Sequence, residues 1–217
     1  MKRRTPNSVS PTTPLPTEPE GGSPVNVTIR PLNIQRTTIK IVGTSSLIMH
    51  AWSKKAIAMI AAKQQKKATG PKAAKDPQAD FEGARYRIDD DHDGVPAIAV
   101  KSCAVEAGMA LGLKKTDLRK SFFVCPDGEE LIPITCPGGP VMKEDMVRVG
   151  MGVADIRYRP EYKNWSCMIP VEFNAELISA EELFNLFDNA GYSVGLGEWR
   201  PQKDGIHGRF RVDSSDR

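Results

Sequence analysis

At 217 residues, 40% hydrophobic and 26% charged with a formal net charge of +3, the chain suits one domain with a core of its own plus additions. That charge is too small to name a partner, and no apolar run is long enough for a membrane span. The first residues lack the apolar centre of a signal peptide, and Cys103, Cys125, Cys136 and Cys167 have no C-x-x-C spacing that would suit structural zinc. The cysteines read as buried thiols of a cytoplasmic protein. With only His50, His92 and His207 as imidazole donors, no metal or other cofactor is expected.

Residues 1–35 scatter Pro6, Pro11, Pro14, Pro16, Pro19 and Pro24 among Ser, Thr and Gly, behind a basic tip of Lys2, Arg3 and Arg4. Such a segment buries too little to offset its ordering entropy, so a disordered or extended tail is expected. A first strand is predicted over 37–43, with Ile39 and Ile41 on one face. It leads into Thr44-Ser-Ser-Leu-Ile-Met-His50-Ala-Trp52. A helix is predicted over 53–68, capped by Ser53, with Ile57, Ile60 and Ala61 as its apolar positions. Lys54, Lys55, Lys63, Lys66, Lys67, Lys72 and Lys75 follow with no acid among them. A run of uncompensated cations suits a phosphate chain through counterion release. A plain solvated surface is the alternative.

Asp89, Asp91, Asp93 and Gly94 match the start of a calcium loop, but the twelfth position is Val100 rather than the closing Glu. Asp-Gly here reads as a hairpin turn, with a metal or catalytic role as the alternative. A buried helix is predicted from about 97 to 111, with Pro96 just before its start. Lys101 is the one cation in its first two turns and opposes the macrodipole there. An anionic ligand would relieve that conflict; a snorkelling surface lysine is the alternative.

A β-rich middle follows. Residues 121–125 and 130–135 are predicted as a hairpin, 141–149 as a strand, and 154–159 with 165–173 as a second hairpin. In its first arm Ala154, Ile156 and Tyr158 share one face, and Asp155, Arg157 and Arg159 the other. In its second arm Trp165, Cys167, Ile169, Val171 and Phe173 turn to the core. Arg157 and Arg159, exposed beside Lys163, form a second basic patch or an ordinary solvated face. Ser179 and Glu182 then make a capping box for a helix with Leu183, Leu186 and Phe187 on one face, and Gly191 is expected to stop it. The loop beyond carries Arg200, Lys203 and Arg209 among Gly191, Gly195, Gly197, Gly205 and Gly208, and a short strand ends it. Glycines let backbone N–H groups approach a phosphate and the cations add charge. A long hairpin-like connection is the alternative.

Strand, long insertion, helix, β-rich middle, helix and strand make an α+β chain with a ferredoxin-like (RRM-like) βαββαβ core, an inserted helix and β-hairpins. Residues 36–217 read as one domain, with a Lys-rich insertion at about 53–95. Strands 37–43 and 206–212 are expected in one sheet, with two helices on one face and the other face left for a partner, often RNA.

Three patches resemble the RAMP superfamily, which includes the backbone and processing subunits of CRISPR effector complexes. Gly195-Leu-Gly197 through Gly208-Arg209-Phe210 is similar to that family's glycine-rich loop. Thr44-Ser45-Ser46-Leu47 is similar to its segment after the first strand. Val95-Pro96 with Ala99-Val100-Lys101 resembles the start of its first core helix. The pattern departs at Ser102, where the family has Gly, at Val105 and Glu106, where it has Arg, and at Ile206-His207. A diverged relative, with phage origin as one expectation, fits these departures.

The resemblance implies a non-enzymatic subunit that assembles on single-stranded RNA or DNA, as a filament-like homo-oligomer or within a larger ribonucleoprotein. Its expected binding residues are Lys54, Lys55, Lys63, Lys66, Lys67, Lys101, Arg157, Arg159, Lys163, Gly195, Gly197, Arg200, Lys203, Gly208 and Arg209. Trp52, Trp165 and Trp199 are candidates for base stacking. A single-strand DNA annealing protein and a RAMP-type ribonuclease, drawing on His50, His207 or the 89–93 run, are the alternatives.

Overall fold

The computed structural model describes residues 31–52, 54–65, 74–126, 130–148, 152 and 154–213, with the backbone alone at 54–56 and 63. The chain separates into Met1–Pro31 and Leu32–Arg217, and the elements below belong to the second unit. The predicted tail therefore lies outside the described residues up to position 30. Its last two positions belong to a strand, since β1 spans Ile34–Gly43.

In chain order β1 is followed by β2 (Leu47–Ile48), α1 (Lys54–Gln64), α2 (Pro77–Gly83), β3 (Gly94–Pro96) and α3 (Ala97–Ala110). Then come α4 (Lys115–Ser121), β4 (Phe122–Val124), β5 (Leu131–Thr135), β6 (Val141–Arg148), β7 (Ala154–Tyr162), β8 (Ser166–Asn174), α5 (Ala180–Ser193) and β9 (Phe210–Val212). Two short helices add to the expected set. α2 starts on Asp76, whose carboxylate accepts from the N–H groups of Gln78 and Ala79 at 3.0 and 3.1 Å, with Pro77 in the first turn. α4 occupies residues up to Ser121, where a strand was expected to begin. On α1, Ile57 and Ile60 are exposed rather than packed.

The protein is α+β with antiparallel sheets. The main sheet runs β3-β5-β8-β1-β9, with β4 also on β8, and a second sheet runs β2-β7-β6. β8 is central because its alternation is the cleanest. Cys167, Ile169, Val171 and Phe173, with Trp165 just ahead, are all at most 2% exposed. β1 pairs with it antiparallel from Ile34↔Asn174 to Val42↔Ser166. β9 takes the other edge of β1, from Ile41↔Val212 to Gly43↔Phe210. The strand predicted at 206–212 is therefore in the same sheet as β1 but begins only at Phe210. α3 and α5 pack on each other and bury Val100, Cys103, Ala104, Leu183, Leu186 and Phe187 in the core with Ile39, Ile41 and Ile169.

Neither hairpin predicted for the β-rich middle forms. β4 and β5 both add to β8, through Phe122↔Phe173 and Ile134↔Cys167. β1 already holds the opposite edge of β8, so β7 finds no free edge there. It pairs with β6 instead, from Val141↔Glu161 to Arg148↔Ala154.

The two predicted faces of β7 exist, but the polar one turns inward. Arg159 is 3% exposed and Ile156 is 41% exposed. Buried Arg159 donates to Asp145 Oδ2 at 3.3 Å and to His50 Nδ1 at 3.4 Å, so it belongs to no exposed basic patch. Gly191 does not stop α5. It lies buried inside the helix, where a Cβ would stand 2.1 Å from the carbonyl oxygen of Phe210 on β9.

Candidate nucleic-acid interface

The loop between α5 and β9 is tied to the segment after β1. Glu198 N–H donates to Ile48 O and Gly208 N–H to Ser46 O, both at 2.8 Å. Arg209 N–H donates to Ser45 Oγ at 3.0 Å, and Thr44 N–H to Arg209 O at 2.8 Å. Leu196 N–H closes the loop on Gly208 O at 2.9 Å. Gly197 and Gly208 have φ of +73° and +69°. A Cβ on them would meet Ile48 O at 2.2 Å and Leu196 O at 1.8 Å. These glycines serve a close backbone crossing. The N–H of Gly195 goes to Ala190 O and that of Gly208 to Ser46 O, so neither forms part of a phosphate cradle.

What the knot presents outward is side chains. Arg200 Nη1 donates to Gly197 O at 2.9 Å, and its Nε and Nη2 reach Gln202 Oε1 at 3.1 Å. The 3-10 turn Pro201–Lys203 carries Lys203, which is exposed. The Arg209 guanidinium lies 5.1 Å from the centre of the Tyr192 ring. Tyr192 is 71% and Trp199 42% exposed. Arg200, Gln202 and Lys203 face Ala99, Ser102 and Glu106 of α3 across a cleft of about 290 Å³.

The loop and α3 therefore meet, but Lys101 is not at the meeting. At about 100° per residue, Lys101 falls roughly half a turn from the face of Ala99, Cys103 and Glu106. Its Nζ donates to Arg119 O at 3.0 Å and sits 3.9 Å over the Phe123 ring. Burial lowers its pKa. Lys101 and the glycine loop, each read as an anion contact, do not form one site, because α3 shows the loop its other side.

None of the remaining predicted cations with a described side chain lines that cleft. Lys54, Lys55 and Lys63 lie on α1, where only the backbone is described, and Lys66, Lys67 and Lys72 lie outside the described residues. Lys75 pairs with Asp155 at 2.5 Å and also contacts Ile156 O. Lys163 is exposed beyond the end of β7. Arg157 is half-buried in a second cleft, of about 540 Å³, with His50, Trp52, Lys75, Asp80, Asp155 and Glu198 among its lining. His50 is held below the usual histidine range, first by burial and then by Arg159 and Arg157. A neutral imidazole has one ring acceptor. Only one of the two guanidiniums, Arg159 at Nδ1 or Arg157 at 3.5 Å from Nε2, can therefore donate to it.

The aspartate run forms the predicted turn. Asp89 Oδ1 accepts from the N–H groups of Asp91 and His92 at 2.9 and 2.7 Å, as a turn requires. The His92 ring lies 2.9 Å from the same carboxylate, which raises the histidine's pKa and lowers the aspartate's. Asp93 is 4% exposed and accepts from Arg85 Nε at 2.9 Å and Tyr162 Oη at 2.7 Å. Among the described residues no group of three or more His, Cys, Asp or Glu is arranged to hold a metal. His207 Nδ1 is 2.9 Å from Ser46 Oγ, inside the knot. Trp165 is core, its indole N–H donating to Ser45 O at 2.8 Å.

The sheet face opposite the helices carries Arg36, Thr38, Lys40, Met168, Glu172 and Arg211. Arg36 pairs with Glu172, and Lys40 with Asp213. The aromatics of β8 and β9, Phe173 and Phe210, point to the core, so those strands and β1 offer no stacking ring on that face. Tyr192, which sequence reasoning missed, is the aromatic the loop's cations do find. Only its helical register, off the Leu183–Leu186–Phe187 face, distinguishes it in the sequence.

No protein-family model matches the chain, and no curated protein matches it.

Proposed function

We propose that the protein is a non-enzymatic subunit that assembles on single-stranded RNA or DNA, of the RAMP kind, built on a ferredoxin-like core. The sheet path β9-β1-β8 with β4 and β5 beyond, and α3 and α5 on one face, supports the βαββαβ reading. The observation that carries the binding reading is the knotted loop. It holds Arg200, Lys203 and Arg209 on a backbone fixed to the 44–48 segment, next to exposed Tyr192 and Trp199. Cations for phosphates and aromatic faces for bases are what a sequence-tolerant single-strand site needs.

The test is a salt titration of binding to several unrelated single strands. Arg200→Ala, Lys203→Ala and Arg209→Ala should each flatten the slope of log affinity against log salt by about 0.7 for every phosphate left unneutralised. Lys101→Ala, which faces Phe123 instead, should leave the slope alone. Trp199→Ala should weaken binding by about 1–3 kcal/mol if a base stacks there. Unchanged slopes in all three loop variants would refute the site. Effects confined to one sequence would refute phosphate recognition. Accelerated pairing of complementary DNA strands would move the assignment to an annealing protein.

A further inference from the structure

The cleft beside His50 brings together donors and acceptors that the protein leaves unmatched. Its volume of about 540 Å³ is within the roughly 300–1,000 Å³ of small-molecule sites. The neutral imidazole of His50 offers one acceptor to two guanidiniums. Arg159 is 3% exposed and has the stronger need of it, because a buried donor left unpaired is costly. Its Nε donates to His50 Nδ1 at 3.4 Å. The ring hydrogen then sits on Nε2, 3.5 Å from Arg157 Nη1, and neither of those two donors can serve the other. Arg157 and His50 thus line the cleft with adjacent N–H groups, and Arg157 has no other acceptor among the described residues. Glu198 lines the same cleft and faces His50. Its backbone is fixed to Ile48 O at 2.8 Å, and among the described residues no hydrogen bond reaches its carboxylate. Trp52, Ile60 and Ile156 give the cleft an apolar wall, and Trp52 is 65% exposed.

The balance of charge argues against an anion here. Lys75 pairs with Asp155, which leaves Arg157 against Glu198 and Asp80. A phosphate or carboxylate would meet two like charges. A neutral planar ring with paired acceptors on one edge and paired donors on the next avoids that conflict. Of the four bases of DNA, guanine alone has this pattern. Its O6 and N7 accept side by side, as a guanidinium fork requires. Its N1–H and N2–H donate side by side, as a carboxylate requires. Adenine puts an amine where guanine has O6, and cytosine has a single amine to offer a carboxylate. Unstacked bases are held in this way, by an aromatic face and by hydrogen bonds to their edges.

We infer that this cleft binds a guanine ring. Arg157 and the His50 Nε2–H donate to O6 and N7, the Glu198 carboxylate accepts from N1–H and N2–H, and Trp52 stacks on the ring. The choice of ligand rests on this donor and acceptor pattern alone. It is independent of Arg200 and Lys203, which line a different cleft. A free guanine nucleotide and a guanine within a strand share the chemistry, and the test separates them.

The full chain, freed of nucleic acid by nuclease and high salt, is titrated with GMP, AMP and CMP from about 1 μM to about 10 mM, the range that brackets weak binding. Tryptophan emission reports stacking, and calorimetry reports affinity. GMP should quench the emission and bind tighter than AMP or CMP by roughly 5- to 150-fold, the discrimination of one bidentate base contact. The three ligands carry the same phosphate, so its contacts cancel in the comparison. Trp52→Phe, at an exposed position, should abolish the quenching, because Trp165 is core and Trp199 lies outside this cleft. Arg157→Met and Glu198→Gln should each weaken GMP by a similar factor, with melting temperatures unchanged. A thymine strand with one guanine is then compared with the all-thymine strand. A gain from the guanine assigns the ring to a strand; no gain, with GMP bound, assigns it to a free nucleotide. No response to GMP and no gain from the guanine would overturn the inference. So would equal affinity for AMP or CMP, quenching that survives Trp52→Phe, or GMP binding untouched by both polar substitutions.

Discussion

Gly191→Ala reverses an ordinary rule. In an exposed helix interior, replacing glycine with alanine stabilises by about 0.5–1 kcal/mol, because the unfolded chain loses freedom. At residue 191 the new methyl would stand 2.1 Å from Phe210 O, 2.7 Å from Phe210 C and 2.6 Å from the Phe210 ring. Carbon atoms pack best at about 3.5–4.0 Å, so α5 and β9 must separate by more than ~1 Å. The nearest obstacle is backbone, so no rotamer change relieves it. Overpacking of this kind costs about 1–3 kcal/mol, and the propensity gain offsets only part. The expected outcome is a loss of about 1–2 kcal/mol. For a domain of this size that corresponds to a fall in Tm of roughly 2–8 °C. Thermal melts by circular dichroism, with urea titrations for the free energy, measure it. A Tm equal to or above wild type would show that α5 and β9 do not meet as described.

Tyr162→Phe removes the hydroxyl that donates to buried Asp93 at 2.7 Å. It should destabilise by about 1–3 kcal/mol, the cost of a buried acceptor left short of a donor; an unchanged urea midpoint would contradict it. His50 gives a pH signature. Burial and the two arginines hold its folded pKa below the ordinary 6.5, so on acidification the unfolded chain takes up the proton first. Its contribution is complete above about 6.5 and is lost as pH falls from there toward the folded value. The urea free energy measured between about pH 7.5 and 5.5 should fall more steeply for wild type than for His50→Gln. Parallel curves would exclude a depressed His50. His92, raised by Asp89, acts in the opposite sense in both proteins and cancels in the comparison.

Local signals in the sequence carried far where they depend on near neighbours. The capping box at Ser179 is present in full, with Ser179 Oγ accepting from Glu182 N–H at 3.2 Å. The alternation of residues 165–173 marks the central strand, and the hydrophobic start of α3 is right to within a residue. Pairing was not legible, because it is decided by competition for edges. Phe122 and Ile134 both find β8, and β7 is left with β6. Alternation separates the two faces of β7 but does not say which faces inward. Arg159 is inside only because Asp145 and His50 wait there. Lys101 and the glycines show the same limit. Type and spacing suggested an anion site, whereas Lys101 points to Phe123 and Gly208 permits a backbone crossing. Both facts depend on residues far along the chain.

The pairing of β1 has a consequence for how the protein is made. Ile41 meets Cys167 on one side and Val212 on the other. A ribosome adds about 5–20 residues per second, so β1 leaves it on the order of ten seconds before either neighbour exists. Throughout that interval a strand bearing Ile39 and Ile41 has two open edges, the condition under which nascent chains pair with the wrong partner. Translation speed between β1 and β8, and chaperones that shield extended apolar segments, should therefore affect the yield of native protein. A transplant of residues 210–212 to precede β1 through a linker, giving β1 an early partner, is the rearrangement that would shorten the exposure.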